Sequence, residues 1–295
     1  MAQSGQLGLH GSHRGPMNSM MVCMWGQTSL SAITLILYAA AEGFSIAHLR
    51  TDKDAYGKST SWLLLAGFLI HWFALYVGAR AIHAVPYHDL PASMSFFSWV
   101  VIGSYGILLL KHREGSTGPF LIPIALVFLV ASLFAQGGGQ AIIKNPKLSG
   151  PLFAFHVTMA LVGYAALTLS FVLAQLYLIQ NKQLRSRKLG LLFSRLPALD
   201  VLSQLHRTSV IIGVSALSVA AVLGLIWAKI NWGTYWDPKV LFTFLIIAIY
   251  LFTLFPRWLG WGGKKVALLS MTGFLFVLFS YTIVNLFISR GHTFR

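Results

Sequence analysis

The sequence predicts an all-α polytopic membrane protein of about eight transmembrane helices, with both termini on the outer, periplasmic side. Three observations lead there. Of 295 residues, 56% are apolar and 10% charged, against about 25% charged in a soluble domain. Mean hydropathy is +0.71, so there is too little polar surface to cover a soluble core. Apolar runs long enough to cross about 30 Å of hydrocarbon recur along the chain with short connections between them. No stretch of soluble composition is long enough for an extramembrane catalytic domain. The single cysteine, Cys23, excludes an intrachain disulfide and a CxxC redox pair. The net charge of +15 comes from 22 Lys and Arg against 7 Asp and Glu. Because these charges sit between apolar runs, they read as anchors to the lipid bilayer, and no nucleic acid partner is expected.

Residues 1–24 are polar and rich in Gly, His and Met. They read as a disordered tail ahead of a single transmembrane domain over 25–295. The apolar runs place spans at Thr28–Leu49, Ser61–Ala81, Ala92–Leu110, Pro119–Gln136, Pro151–Gln180, Thr208–Lys229, Val240–Phe255 and Val266–Ile288. Lys and Arg set the orientation. The loops sharing a side with 182–207 hold fourteen of them and the other side holds eight. The richer side is therefore the inner one, and both termini fall outside. Leu199, Leu202 and Leu205 follow Pro197 at helical spacing, which predicts a short helix lying along the inner surface.

This topology puts three features on the outer face. His156 lies about one turn inside span five, residues 231–239 read Asn-Trp-Gly-Thr-Tyr-Trp-Asp-Pro-Lys, and His292 follows span eight. Two imidazoles can fill both axial positions of haem iron. Trp232, Tyr235 and Trp236 offer flat faces to a porphyrin, while Gly233 and Pro238 suit a tight loop. Each feature also has a plainer reading. Trp and Tyr gather at membrane interfaces in general, a lone His near a helix end is commonly a packing residue, and Asp237 ahead of Pro238 fits a helix N-cap.

The Trp-Gly-Thr-Tyr-Trp-Asp-Pro-Lys segment resembles the WGxxWxWDP signature, or WWD motif, of cytochrome c assembly proteins of the CcsA/ResC type, whose relatives include HemX-like proteins. Other segments are similar in the same order: Phe153–Tyr164 with His156, Leu196–Arg207, Asn285 with Gly291-His292, and more weakly Asp89–Trp99. The resemblance covers about residues 65–295. It implies an eight-span protein of the bacterial inner membrane that holds haem b outside and presents it for attachment to apocytochrome c. His156 and His292 would be its axial ligands, and Trp232, Gly233, Tyr235, Trp236 and Asp237 its platform. It also implies a second membrane subunit of the CcsB/ResB type, with this chain as the haem-presenting part of a synthase.

Two departures point to a different role. The family's loop has two further residues, one of them Trp, between the positions of Trp236 and Asp237. The family also often has a histidine in span seven, whereas this chain has none between His206 and His292. The alternative is a non-catalytic HemX-like regulator of haem supply, or an accessory subunit of a respiratory complex.

Secondary candidates lie elsewhere. His71 sits mid-span with Gly67, Ala74 and Gly78 on its face. It reads either as a transit ligand for haem or as an imidazole hydrogen-bonded across a tight helix pair. Arg80, near His83 and His88, is a candidate for haem propionates or a snorkelling interface residue. Glu42 is expected to pair with a nearby Lys or Arg, and Tyr281, Asn285, Ser289 and His292 to form a polar stripe.

Overall fold

The computed structural model describes residues 16–81, 85–87, 89–112, 115–135, 150–187, 190–233, 238–256 and 258–279. Among these residues there is no strand. The helices are α1 (Pro16–Thr51), α2 (Asp54–Ala81), α3 (Leu90–His112), α4 (Gly118–Phe134), α5 (Pro151–Ser186), α6 (Leu191–Arg195), α7 (Leu199–Trp232), α8 (Pro238–Leu254) and α9 (Gly263–Phe279). Six of them, α1 to α5 and α7, contain segments long and apolar enough to cross a membrane. Val240–Leu254 of α8 is a shorter apolar segment. The predicted eighth span opens within α9, and its remainder lies outside the described residues. This is an all-α polytopic membrane protein.

Helix ends follow local chemistry. Asp89 Oδ1 accepts a hydrogen bond from the backbone N–H of Ala92 at 2.7 Å, which caps α3. Pro residues stand in the first turns of α4 and α5, where a missing N–H costs nothing. Gly233 ends α7 in the left-handed region, φ 72°, and its N–H donates to the Lys229 carbonyl at 3.0 Å.

The helices pack as two rings of four. In the first, α1 contacts α2, α2 contacts α3, α3 contacts α4, and α4 returns to α1; in the second, α5, α7, α8 and α9 close the same way. The rings meet along α3 and α5, with a fringe of α4. Large apolar side chains such as Trp62, Leu110 and Phe134 stay exposed on the outside of the bundle, where lipid replaces water.

Small residues set the closest approaches. On α2 the buried face is Thr60, Leu64, Gly67, His71, Ala74, Leu75 and Gly78. It contains the stripe expected from spacing. A Cβ at Gly67 would fall 2.7 Å from the Tyr38 ring. The α5–α7 crossing is reciprocal. A Cβ at Gly163 would meet Leu217 at 2.7 Å and the Gly213 carbonyl at 3.2 Å. One at Gly213 would meet Leu167 at 2.6 Å and the Gly163 carbonyl at 3.3 Å.

The separate surface helix expected at Leu199–Leu205 is instead the first two turns of α7, continuous with span six. Its apolar face explains the difference. Leu202, Leu205 and Val210 are all buried, so one stripe continues past the polar residues that appeared to end the span.

Two contacts tie the rings at their ends. Asp52, in the α1–α2 turn with φ 61°, pairs with Arg195 of α6. At the other end Tyr87 donates to the Ala154 carbonyl at 2.9 Å and lies 2.8 Å from Thr158 Oγ1 on α5. Burial pushes the Tyr87 phenol above its usual value, with the Thr158 hydrogen bond opposing the shift. Between the ties, a cavity of about 270 Å³ lies among Phe97 of α3, Phe128 of α4, Tyr164 of α5 and Phe274 of α9.

Gly163→Leu is expected to destabilise the protein in detergent by about 1–3 kcal/mol through overpacking. Gly106→Leu, where a Cβ meets nothing within 4 Å, should leave the unfolding midpoint nearly unchanged. Thermal unfolding followed by circular dichroism compares them, and equal midpoints would contradict the crossing described here.

Candidate functional site

His156 projects from the second turn of α5 towards α7. Its Nδ1 donates to the Ala220 carbonyl at 2.7 Å. In a neutral ring this places the hydrogen on Nδ1 and the lone pair on Nε2, the arrangement that orients metal-ligating imidazoles. The ring lies over Gly224, where a Cβ would come within 2.6 Å of Cε1. Phe153 lies 6.4 Å from the His156 ring and 5.2 Å from Trp227, centroid to centroid. Phe153 and Trp227 are both buried, with Ala228 beside them. The imidazole therefore sits half-buried against Phe153, its Nδ1 held by the Ala220 carbonyl. Among the described residues no group of three His, Cys, Asp or Glu gathers around a common point. The chemistry of this donor fits one axial imidazole for haem.

Gly233 terminates α7 nine residues beyond Gly224 in sequence. At 1.5 Å per residue it stands about 13 Å further along the helix axis. Trp232 is the last residue of α7. Tyr235, Trp236, Asp237 and His292 lie outside the described residues, as do His83, His88 and the stripe from Tyr281 to His292.

His71 is fully buried between α1 and α3. Its Nδ1 lies 3.4 Å from Tyr38 Oη and its Nε2 lies 3.0 Å from Ser95 Oγ. Both ring nitrogens have protein partners, which is the hydrogen-bonded arrangement across a tight helix pair. Arg80 is exposed in the last turn of α2, the position of a snorkelling side chain.

Glu42 departs from expectation, having no cationic partner among the described residues, and its Oε2 is buried without a hydrogen bond. The first cation on its own helix after it, Arg50, is eight residues on, about 12 Å along the axis. The acid of that region that does pair is Asp52.

Sequence reasoning missed Gly224, the carbonyl of Ala220 and Tyr87. Only the crossing of α5 and α7 gives the first two a role. Tyr87 stands in a short turn after Pro86, and a lone aromatic there carries no periodic signal.

The sequence matches the family described as Cytochrome C assembly protein over residues 87–292. The chain belongs to that family. Tyr87, His156, Gly224 and Gly233 all fall within the matched segment. The chain is 27% identical to Protein HemX of Bacillus subtilis over 85% of its own length and 92% of that protein. It is 32% identical to the cytochrome c biogenesis protein CcsA of Prochlorococcus marinus over 77% of this chain and 81% of that one. The fold is similar to that of the cytochrome c haem lyase CcmF, with TM-score 0.58 and 12% identity. That alignment takes in 94% of this chain and 49% of CcmF, so this family member spans about half of that protein.

Gly224→Val is expected to push the His156 ring off α7 and break its bond to Ala220. In ¹⁵N spectra of histidine-labelled protein, the hydrogen-bonded Nδ1–H signal of His156 should be lost, while the buried His71 signals remain. An unchanged His156 signal would contradict the packing.

Proposed function

We propose that the protein works in cytochrome c biogenesis in the bacterial inner membrane, binding haem b at its outer face through His156 and His292. The single observation that carries this reading is the His156 ring, held by Nδ1 on the Ala220 carbonyl within an aromatic surround. In this reading Trp232, Gly233, Tyr235, Trp236 and Asp237 supply the haem platform. Haem, when bound, supplies an iron centre and vinyl groups for thioether formation with an apocytochrome. The protein's own work is positioning. The Ala220 carbonyl holds the imidazole in one tautomer and orientation, so little conformational freedom remains to be lost when a ligand arrives. Phe153 flanks the ring on the side of the helix ends, with Trp227 behind it, and restricts water there. A second membrane subunit of the CcsB/ResB type completes the assembly that receives the apocytochrome.

A second reading, a HemX-like regulator of haem supply without attachment activity, is favoured by the shortened Trp-Asp loop and by the HemX relative matched over 92% of its length.

The deciding experiment expresses the full chain with and without the partner subunit and a reporter apocytochrome c. Wild type should purify with a Soret band. His156→Ala and His292→Ala should each reduce haem content by about tenfold or more, on the scale of losing a ligand's orientation. Equal haem in both variants overturns the ligand assignment. Haem retained without cytochrome c maturation selects the regulatory reading.

A further inference from the structure

At the end of α5 and α7 opposite His156, a second cavity of about 150 Å³ opens between α5, α7, the end of α8 and the start of α9. Its wall includes Tyr177, Ser203, His206, Arg207, Trp261 and Gly263, and among the described residues it carries no carboxylate.

His206 is the unusual member. It is 6% exposed, and its Nε2 is buried with no hydrogen-bond partner among the described residues. An unpaired buried ring nitrogen is unfavourable, and in the tautomer with the hydrogen on Nε2 a ligand that accepts it removes the penalty.

The helix next to it points to the sign of that ligand. α9 starts at Gly263, and the N–H groups of Lys265 and Val266 already bond to the Gly262 carbonyl. Those of Gly263 and Lys264 come before any intrahelical acceptor, at the positive end of the helix dipole. Gly263 has no side chain to shield them, and a Cβ there would collide with the Tyr177 hydroxyl. Arg207 stands in the wall, and exposed Lys264 and Lys265 follow on the first turn of α9. An imidazole, a helix N-terminus and the Arg207 guanidinium thus meet at one cavity with no acid in its wall among the described residues, which is the chemistry of an anion site.

We infer that this cavity binds a phosphate group through His206, the first turn of α9 and Arg207. The group is carried by an anionic phospholipid headgroup or is free in solution. The cavity lies at the same end of α5 as Lys182 and Arg185, which follow Tyr177 on that helix, where both sources are within reach. The site neither contains haem ligands nor depends on the haem reading.

The test uses the full chain in zwitterionic detergent. In one arm it is incubated with equal phosphatidylglycerol and phosphatidylcholine, and retained lipid is weighed by native mass spectrometry. In the other, inorganic phosphate is titrated calorimetrically. Wild type should retain one phosphatidylglycerol with a preference of about tenfold, the worth of one charge-assisted hydrogen bond. H206F and S203L should lose the preference, whereas H206Q, which keeps a donor, should retain it. S203L leaves the imidazole in place and fills the mouth of the cavity, so the test stands even if H206F misfolds. Phosphate binding abolished by H206F and S203L, without a lipid preference, assigns the site to the free anion. Equal lipid retention in wild type, H206F and S203L, with no phosphate binding by wild type, overturns the site.

Discussion

The approach of α5 to α7 through Gly163 and Gly213 is the constraint on which the rest of the structure depends. Each glycine faces the other's carbonyl so closely that a Cβ would crowd it and collide with Leu217 or Leu167. In lipid, where burying apolar surface gains little, such contact is a main source of helix association. It also fixes the spacing two turns further out, where the His156 ring bridges to the Ala220 carbonyl over Gly224. Were the axes an ångström or two further apart, the imidazole would lose its acceptor. The candidate site is thus an extension of a packing motif.

The same helix pair carries a candidate site at each of its two ends. α7 is long enough to carry Gly233 at one end and His206 at the other, and α5 accompanies it along most of that length. The two ends differ in chemistry. The His156 end gathers aromatic side chains around an imidazole whose Nδ1 is engaged. The other end gathers hydroxyls, cations and an imidazole nitrogen without a partner. The first suits a large flat ligand with a metal, and the second a compact anion. Membership of the cytochrome c assembly family bears on the first alone.

Much of the fold is legible from residue order because lipid imposes a simple rule: each crossing segment must satisfy its own backbone and face hydrocarbon. The Gly67–His71–Ala74–Gly78 stripe is visible for a related reason, since small residues at helical spacing carry their meaning locally. The inward extension of α7 is harder to see. Asp200, Gln204 and Arg207 interrupt the apolar run, while Leu202, Leu205 and Val210 keep one face buried. Window hydropathy averages the faces and registers only the interruption. At the site, His156 stands out as an ionisable residue near a span end, but Gly224 does not, because its role depends on a ring 68 positions earlier in the chain. The ion pair of Asp52 with Arg195 is non-local in the same way.

The division into two rings has a mechanical side. Asp52–Arg195 fastens one edge and Tyr87 with Ala154 the other, while about 270 Å³ between them is left unfilled by side chains. The two rings are therefore joined by polar contacts at their margins and leave a partly open apolar cleft between them at mid-depth.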